Sequence, residues 1–388
     1  MRTFGVEEEL LLVDAATGYP LALADQVTRR ETVATGAPAA AAVNGLGPGH
    51  PAARPGDEDD ETPGPELQRE QVETGTAPCS SLDELAGQLT ERRAVAARAA
   101  RQTGAEVAAL ATSPLPVQPS VTLDQRYITM AEQYAMTAQE QLTCGCHVHV
   151  SVASDDEGVA VLDRIRPWLP PLLALSANSP FWQGRDSGYA SYRRQVWGRW
   201  PSAGTTELFG TARAYHETVD AMLATGTLVD EGMVYFDARL SRNYPTVEIR
   251  VADVCLEAGD AVLLASLSRA LVETAARDWR RGAPPPPVRT EVLRLAGWRA
   301  SRSGLDGELV HPVTGRAAPA EAVIRALAGH VGPALADFGG GQADATADLL
   351  EALLARGNGA ARQRRVHEAT GDLSEVVRTA VARTLSVG

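Results

Sequence analysis

From Phe4 to Val13 apolar residues flank three consecutive glutamates with no helix-capping residue ahead of them, which predicts a strand. Ser81 with Glu84 three residues on forms a capping box, so a helix is expected from about Leu82 to Gln102, ended by Gly104. A short apolar strand over Glu106 to Thr112 follows, and then a helical stretch from Leu123 to Leu142. Gly145 to Val152 reads Gly-Cys-His-Val-His-Val-Ser-Val, the two-residue period of a strand. A helix over Gly158 to Ala177, bent at Pro167, Pro170 and Pro171, leads into a polar and aromatic loop from Asn178 to Thr205 that holds Trp182, Trp197 and Trp200. After a helix over Thr206 to Leu223, strands are predicted at Met233 to Leu240 and Thr246 to Asp253, joined as a hairpin by Ser-Arg-Asn-Tyr-Pro. From Ala258 onward the pattern is helical: 258–281, 288–302, 319–335, 343–356 and 361–386, separated by Gly or Pro.

Strands interspersed with helices, then helices alone, predict an α+β fold: a curved antiparallel β-sheet with helices packed on its outer face and a helical C-terminal part over 258–388. No internal repeat divides the chain, so residues 1–388 are expected to form a single domain. The stretch 35–65 is rich in Ala, Gly and Pro and ends in the acidic run Asp57-Glu58-Asp59-Asp60-Glu61, which predicts a mobile loop.

Composition narrows the chemistry. The chain carries a formal net charge of −13, and all 36 of its basic residues are arginine. Without lysine there is no P-loop and no amine for a Schiff base, which excludes P-loop nucleotide hydrolysis, pyridoxal-phosphate catalysis and class I aldol chemistry. Any phosphate must be held by arginine, backbone N–H groups or a metal. The acidic balance, with no basic stripe, argues against a nucleic-acid partner. No run of about 18 apolar residues marks a membrane span, and the start MRTFGVEEEL lacks the build of a signal peptide, so a cytoplasmic protein is expected. Four cysteines (Cys79, Cys144, Cys146, Cys255) are too few for a disulfide framework in a chain of 388 residues.

Charged residues fall on strand positions where apolar ones are the norm. Glu7 and Glu9 share one face of the first strand and Glu8 takes the other. His147 and His149 share a face opposite Cys146 and Val148, Glu248 and Arg250 share a face opposite Val247, Ile249 and Val251, and Glu66 and Glu73 bracket a polar segment containing Glu70. Converging carboxylates repel unless cations lie between them. Oxygen-rich ligation points to Mg²⁺ or Mn²⁺, ions that generally serve substrate phosphates, and arginine matches a phosphoryl or carboxylate group. Taken singly, each feature has another reading: a solvated strand face for Glu7 and Glu9, a structural ion pair for Glu248 and Arg250, small core residues for Cys144 and Cys146, and the zinc pair of a metal-dependent hydrolase for His147 and His149.

Five motifs, in order, resemble those of the type 2 glutamate–cysteine ligases, a bacterial carboxylate–amine ligase family: FGVEEELLLVD at the start, PELQREQVETGTAPC at 65–79, LTCGCHVHVSV at 142–152, NSPFWQGRDSGYASYR at 178–193 and PTVEIRVADVCL at 245–256. The resemblance covers roughly residues 4–280 and departs at Ser151, where glycine is commoner. It implies a glutamine synthetase-like catalytic domain and ATP-dependent amide formation through an acyl phosphate, with L-glutamate and L-cysteine as the default pair and other acid/amine pairs as the alternative. ATP and Mg²⁺ (or Mn²⁺) are the implied cofactors. The implied metal ligands are Glu7, Glu9, Glu66, Glu73, Glu248 and His147. His147, His149 and Arg250 would lie at the nucleotide, with Glu248, Arg250 and Arg193 at the reacting groups. The expected partners are small amino-acid substrates, with no nucleic acid and no membrane, and self-association into a homo-oligomer is left open. A non-catalytic relative would be marked by loss of the metal glutamates, and here all are present.

Overall fold

The computed structural model describes residues 2–35 and 63–386. Its strands, in chain order, are β1 (Phe4–Asp14), β2 (Gly64–Pro65), β3 (Gln71–Gly75), β4 (Ala105–Ala108), β5 (Gly145–Ser151), β6 (Phe181–Trp182), β7 (Arg185–Asp186), β8 (Ala238–Leu240), β9 (Thr246–Asp253), β10 (Glu308–Val310) and β11 (Ala317–Pro319). Among the described residues one seven-stranded antiparallel sheet has the order β2-β3-β1-β5-β9-β8, with β4 also pairing β1, and β6–β7 and β10–β11 are separate ribbons. β1 is the spine. Along one edge it pairs β3; along the other, Phe4 to Glu8 pair β5 and Leu11 to Asp14 pair β4.

The sequence explains the two halves of β1. Phe4 and Val6 turn to the outer face, where they join Cys146, Val148 and Val150 of β5 and Val247, Ile249 and Val251 of β9 in the core, while Gly5, Glu7 and Glu9 turn to the inner face. The unbroken apolar run Leu10 to Val13 has no polar face and is buried on both sides. Helix Ala258–Arg280 crosses the outer face against β1 and β5, flanked by helices Leu82–Arg101 and Asp155–Ile165.

One ion pair interrupts this apolar layer. Glu8 points outward, and Arg93 of helix Leu82–Arg101 donates to its two carboxylate oxygens at 2.8 and 2.6 Å. The remaining guanidinium donors reach the carbonyls of Cys255 (2.7 Å), Thr384 (3.1 Å) and Leu256 (3.3 Å). Burial opposes the charge of Arg93, but the Glu8 carboxylate more than offsets it and holds the guanidinium above its ordinary pKa.

The serine half of the capping box is present, Ser81 Oγ accepting from the Glu84 N–H, while the Glu84 carboxylate accepts from the Ser80 N–H in place of that of Ser81. Elsewhere the boundaries differ from expectation. The strand expected over 106–112 pairs only across Ala105–Ala108, because Ala109 instead donates to Thr384 Oγ1 and accepts from Asn178 Nδ2. The helix expected over 123–142 is two, Gln125–Tyr134 and Met136–Gln139, broken at Ala135 with φ 47°. The helix expected over 158–177 starts at Asp155, capped by Ser154, and tightens to a 3₁₀ turn at Arg166–Trp168, where Pro167 has no N–H to give. That expected over 206–223 spans Ala212–Ala224, capped by Thr211, and the strand expected over 233–240 shortens to β8 behind a 3₁₀ turn. The last helix divides at Gly371 into Gly359–Thr370 and Leu373–Thr384. Ribbon β10–β11 lies within the part expected to be wholly helical, and helix Ala24–Thr35 falls where the sequence pattern predicts no element. Of the expected loop over 35–65, all but its ends, including the acidic run, lies outside the described residues. No helix among the described residues is long and apolar enough to cross a membrane.

Candidate active site

The strand register gathers the charged residues of the inner face. Glu9 lies opposite Glu73, Glu7 opposite His147, and His149 opposite Glu248, so four neighbouring strands contribute to one row. With Glu66, which precedes β3, these residues line a cavity of about 450 Å³. Arg126, Tyr127, Trp197, Trp200, Tyr235, Arg239 and Arg250 are among the other residues of its wall.

His147 is buried at the centre. Its Nδ1 is 3.5 Å from Glu7 and 4.0 Å from Glu248, and its Nε2, which has no hydrogen-bond partner, is 3.9 Å from Glu9. Two groups could each hold a cation: Glu7, His147 and Glu248, and Glu9, Glu73 and His147, the ligand atoms in each lying within 4.8 Å of one another. His149 is in neither. Its Nδ1 is 3.0 Å from Thr246 Oγ1 and its Nε2 3.2 Å from Glu7. The two histidines therefore do not form the paired zinc site that a hydrolase reading requires.

Charge is divided unevenly. Burial opposes ionisation of Glu248, but Arg250 and Arg239 more than offset it and hold its carboxyl well below the usual range. Arg239 grips Glu248 with two hydrogen bonds, at 2.7 and 3.3 Å, and Arg250 donates through Nη1 to the same carboxylate. Burial likewise opposes the Glu7 charge, and His149 and His147 overcome it, keeping Glu7 ionised. On the β3 side Arg250 and Arg126 pull in the same direction but are outweighed. Burial, then the neighbouring Glu9, pushes Glu66 up to about 8, and burial, then Glu66, Glu7 and Glu9, pushes Glu73 well above the carboxylate range. Burial and Arg250 lower the His147 pKa, whereas Glu7 raises that of His149 in spite of burial.

Every site residue named from the sequence falls on this face except one that stands at its edge. Arg193 does not line the cavity. It is buried over Gly145, where a Cβ would stand 2.4 Å from its Nη2 and 3.0 Å from His147 Nε2, and it stacks on the Trp197 ring at 5.5 Å. Glu70, the rival of Glu66, faces away: its carboxylate accepts from the Ser120 N–H. Sequence reading missed Arg239, although counting pairs outward from the hairpin loop sets it opposite Glu248. It also missed Arg126 and Tyr127, and Asp230, which pairs Arg126 at 2.5 and 3.1 Å.

The architecture is an α+β one: an antiparallel sheet holds an acidic, arginine-edged cavity on one face and helices pack behind the other. Two solved structures share the fold. Glutamate–cysteine ligase of Francisella tularensis in complex with AMP superposes with a TM-score of 0.65 at 13% identity, covering 99% of this chain and 89% of that one. A bifunctional glutathione synthetase from Pasteurella multocida gives 0.67 at 15% identity, covering 99% of this chain and 52% of that one. The chain belongs to glutamate–cysteine ligase family 2, whose model matches residues 3–379. Similar proteins include those named "Putative glutamate--cysteine ligase 2-1" of Streptomyces avermitilis, 55% identical over 384 residues and 99% of both chains, and "Putative glutamate--cysteine ligase 2" of Streptomyces coelicolor, 54% identical over 384 residues and 99% of both chains.

Proposed function

We propose that this protein is an ATP-dependent carboxylate–amine ligase that makes γ-glutamylcysteine, ADP and phosphate from L-glutamate, L-cysteine and ATP. The observation that carries the reading is the meeting of Glu7, Glu9, Glu66, Glu73 and Glu248 with His147 and Arg250 in one cavity. Family membership and the nucleotide held by the Francisella tularensis relative support it.

A carboxylate is a poor acyl donor until its oxygen is turned into a leaving group. Transfer of the ATP γ-phosphoryl group supplies this: the carboxylate attacks phosphorus, ADP leaves, and the amine then displaces phosphate from the acyl phosphate. Such transfer needs positioning and neutralisation rather than a protein nucleophile. Two donor sets made of carboxylates around one imidazole fit Mg²⁺ or Mn²⁺, and the unpartnered His147 Nε2 fits a missing ligand bond. Glu7 and Glu248 with His147 Nδ1 would hold one ion, and Glu9 and Glu73 with His147 Nε2, and with Glu66 beside them, a second. Bound there, the ions would neutralise phosphate oxygens. Arg250, its Nε free of partners and its position fixed by Glu248, is assigned to the transferring phosphoryl group. His149 orients Glu7 beside the nucleotide, and Arg193 places positive charge at the His147 end, toward the anionic groups of the substrates.

The reading takes the whole chain as one catalytic unit of the cytoplasm, where its four buried, unpaired cysteines would stay reduced. The test is ADP release from ATP and Mg²⁺ with glutamate and cysteine together against each alone, followed by a panel of other acids and amines. Stimulation by a pair is expected. Folded protein that no pair stimulates would refute the ligase reading.

A further inference from the structure

Asp253 ends β9 opposite Gly145, and its side chain is fully buried. Its carboxylate accepts three hydrogen bonds from one segment: the Asn178 N–H at 2.9 Å, Ser179 Oγ at 2.7 Å and Ser191 Oγ at 2.8 Å. The serines pass this order on, Ser179 Oγ accepting from the Arg193 N–H at 3.0 Å and Ser191 Oγ from the Arg194 N–H at 3.4 Å. The base of the segment is fixed too. Asn178 Nδ2 donates to the carbonyls of Ala109 and Val254, and Gln363 Nε2 donates to both oxygens of Asn178.

The Arg193 guanidinium has no such moorings of its own. Its Nη1 lies 4.0 Å from Asp253, beyond hydrogen-bond range, its Nε is buried without a partner, and among the described residues the side chain donates no hydrogen bond. A buried cation this loosely compensated does not choose its place by its own bonds. Its place follows from the backbone that carries it.

We propose that Asp253 is a positioning residue which, through Ser179 and Ser191, sets the guanidinium of Arg193 over Gly145 at the His147 end of the acidic site. The inference rests on the ligase reading, in which the free donors of Arg193 serve an anionic group of the reaction. It assigns the polar positions of the 178–193 motif: Asn178, Ser179 and Ser191 are the mooring, and Arg193 is what they hold.

Asp253→Asn keeps the shape and one accepting oxygen but removes the charge and the second strong acceptor. A displacement of this guanidinium by about 1 Å is expected to lower kcat/KM about 10²-fold, with the circular dichroism of the folded protein retained. Ser191→Ala, which removes one of the three donors, serves as the milder variant if Asp253→Asn does not fold. The decisive comparison is a double-mutant cycle: Asp253→Asn combined with Arg193→Ala should be no slower than Arg193→Ala alone. Losses that multiply would overturn the proposal, because a merely structural role adds its cost to any other. A crystal structure of the Asp253 variant gives a readout apart from activity. Arg193 leaving Gly145 is the expected result, and Arg193 unmoved would overturn the proposal. If wild-type protein makes no ADP with any pair, the ligase reading fails, and the position of Arg193 in that crystal structure still decides this inference.

Discussion

Removing Arg93 tests how the outer layer holds the acidic strand in place. Its side chain is 1% exposed and that of Glu8 2%, so neither charge can turn to water. Arg93→Met would leave the Glu8 carboxylate buried and unpaired, which costs about 3–5 kcal/mol. It would also strip a donor from the carbonyls of Cys255, Leu256 and Thr384, at about 1 kcal/mol each. Together these come to about 6–8 kcal/mol, a large part of the 5–15 kcal/mol typical of a folded domain. Urea titration followed by tryptophan fluorescence and far-ultraviolet circular dichroism, both at pH 7, would measure it. The double variant Glu8→Leu/Arg93→Met removes both charges and should recover the part of the loss that comes from the unpaired carboxylate, since apolar replacement of a buried pair is often close to neutral. A loss below about 1 kcal/mol for Arg93→Met, or a double variant as unstable as the single, would refute this reasoning.

Within the site, Glu248→Gln should still fold but melt below wild type at pH 7, because Arg239 and Arg250 lose the carboxylate that compensates them, and it should cut turnover by about 10²-fold or more by removing a cation ligand; a near-normal rate would take Glu248 out of the machinery. Arg250→Lys should fail in the same steady-state assay, since an ammonium cannot reproduce the planar fork. Glu66 yields a pH prediction. Its folded pKa of about 8 lies above the 4.5 of a free glutamate, so its contribution to stability is greatest at low pH and is lost as pH rises from about 4.5 to 8. Metal-free Glu66→Gln should therefore melt above metal-free wild type at pH 8, and saturating Mn²⁺ should reverse the order; differential scanning calorimetry with and without chelator checks both signs.

Strand alternation made most of the site legible. Once β1, β5 and β9 were read with a two-residue period, Glu7, Glu9, His147, His149, Glu248 and Arg250 had to share a face if the strands were neighbours, and they are. Two further signals lie in the sequence: Ser154 with Glu157 repeats the capping pattern of Ser81 with Glu84, and the hairpin loop fixes Arg239 against Glu248. Other features leave no local trace. Arg126 and Asp230 are 104 residues apart and meet only because helix Gln125–Tyr134 and the segment around Asp230 pack against the same cavity. The strands of the β10–β11 ribbon are three residues each, too short for any period to show. The break at Ala135 puts a non-glycine residue at φ 47°, a conformation its own side chain does not favour. Nor could the sequence say that Arg193 stands over Gly145 rather than in the open cavity, since that depends on the anchoring of its whole segment to Asp253.

Glu7, Glu8 and Glu9 are the same letter three times, yet the sheet gives them separate fates. Substitution of the middle one should show as less folded protein in a cell, and substitution of either neighbour as folded protein that works poorly. A screen scoring abundance and activity separately would see the two measures trade places from one codon to the next. Deleting any one of the three produces the same shorter sequence, with two adjacent glutamates on opposite faces of β1 and every residue on one side of the gap shifted to the other face. Relatives that vary freely in the loops are therefore expected to keep the length of this strand fixed.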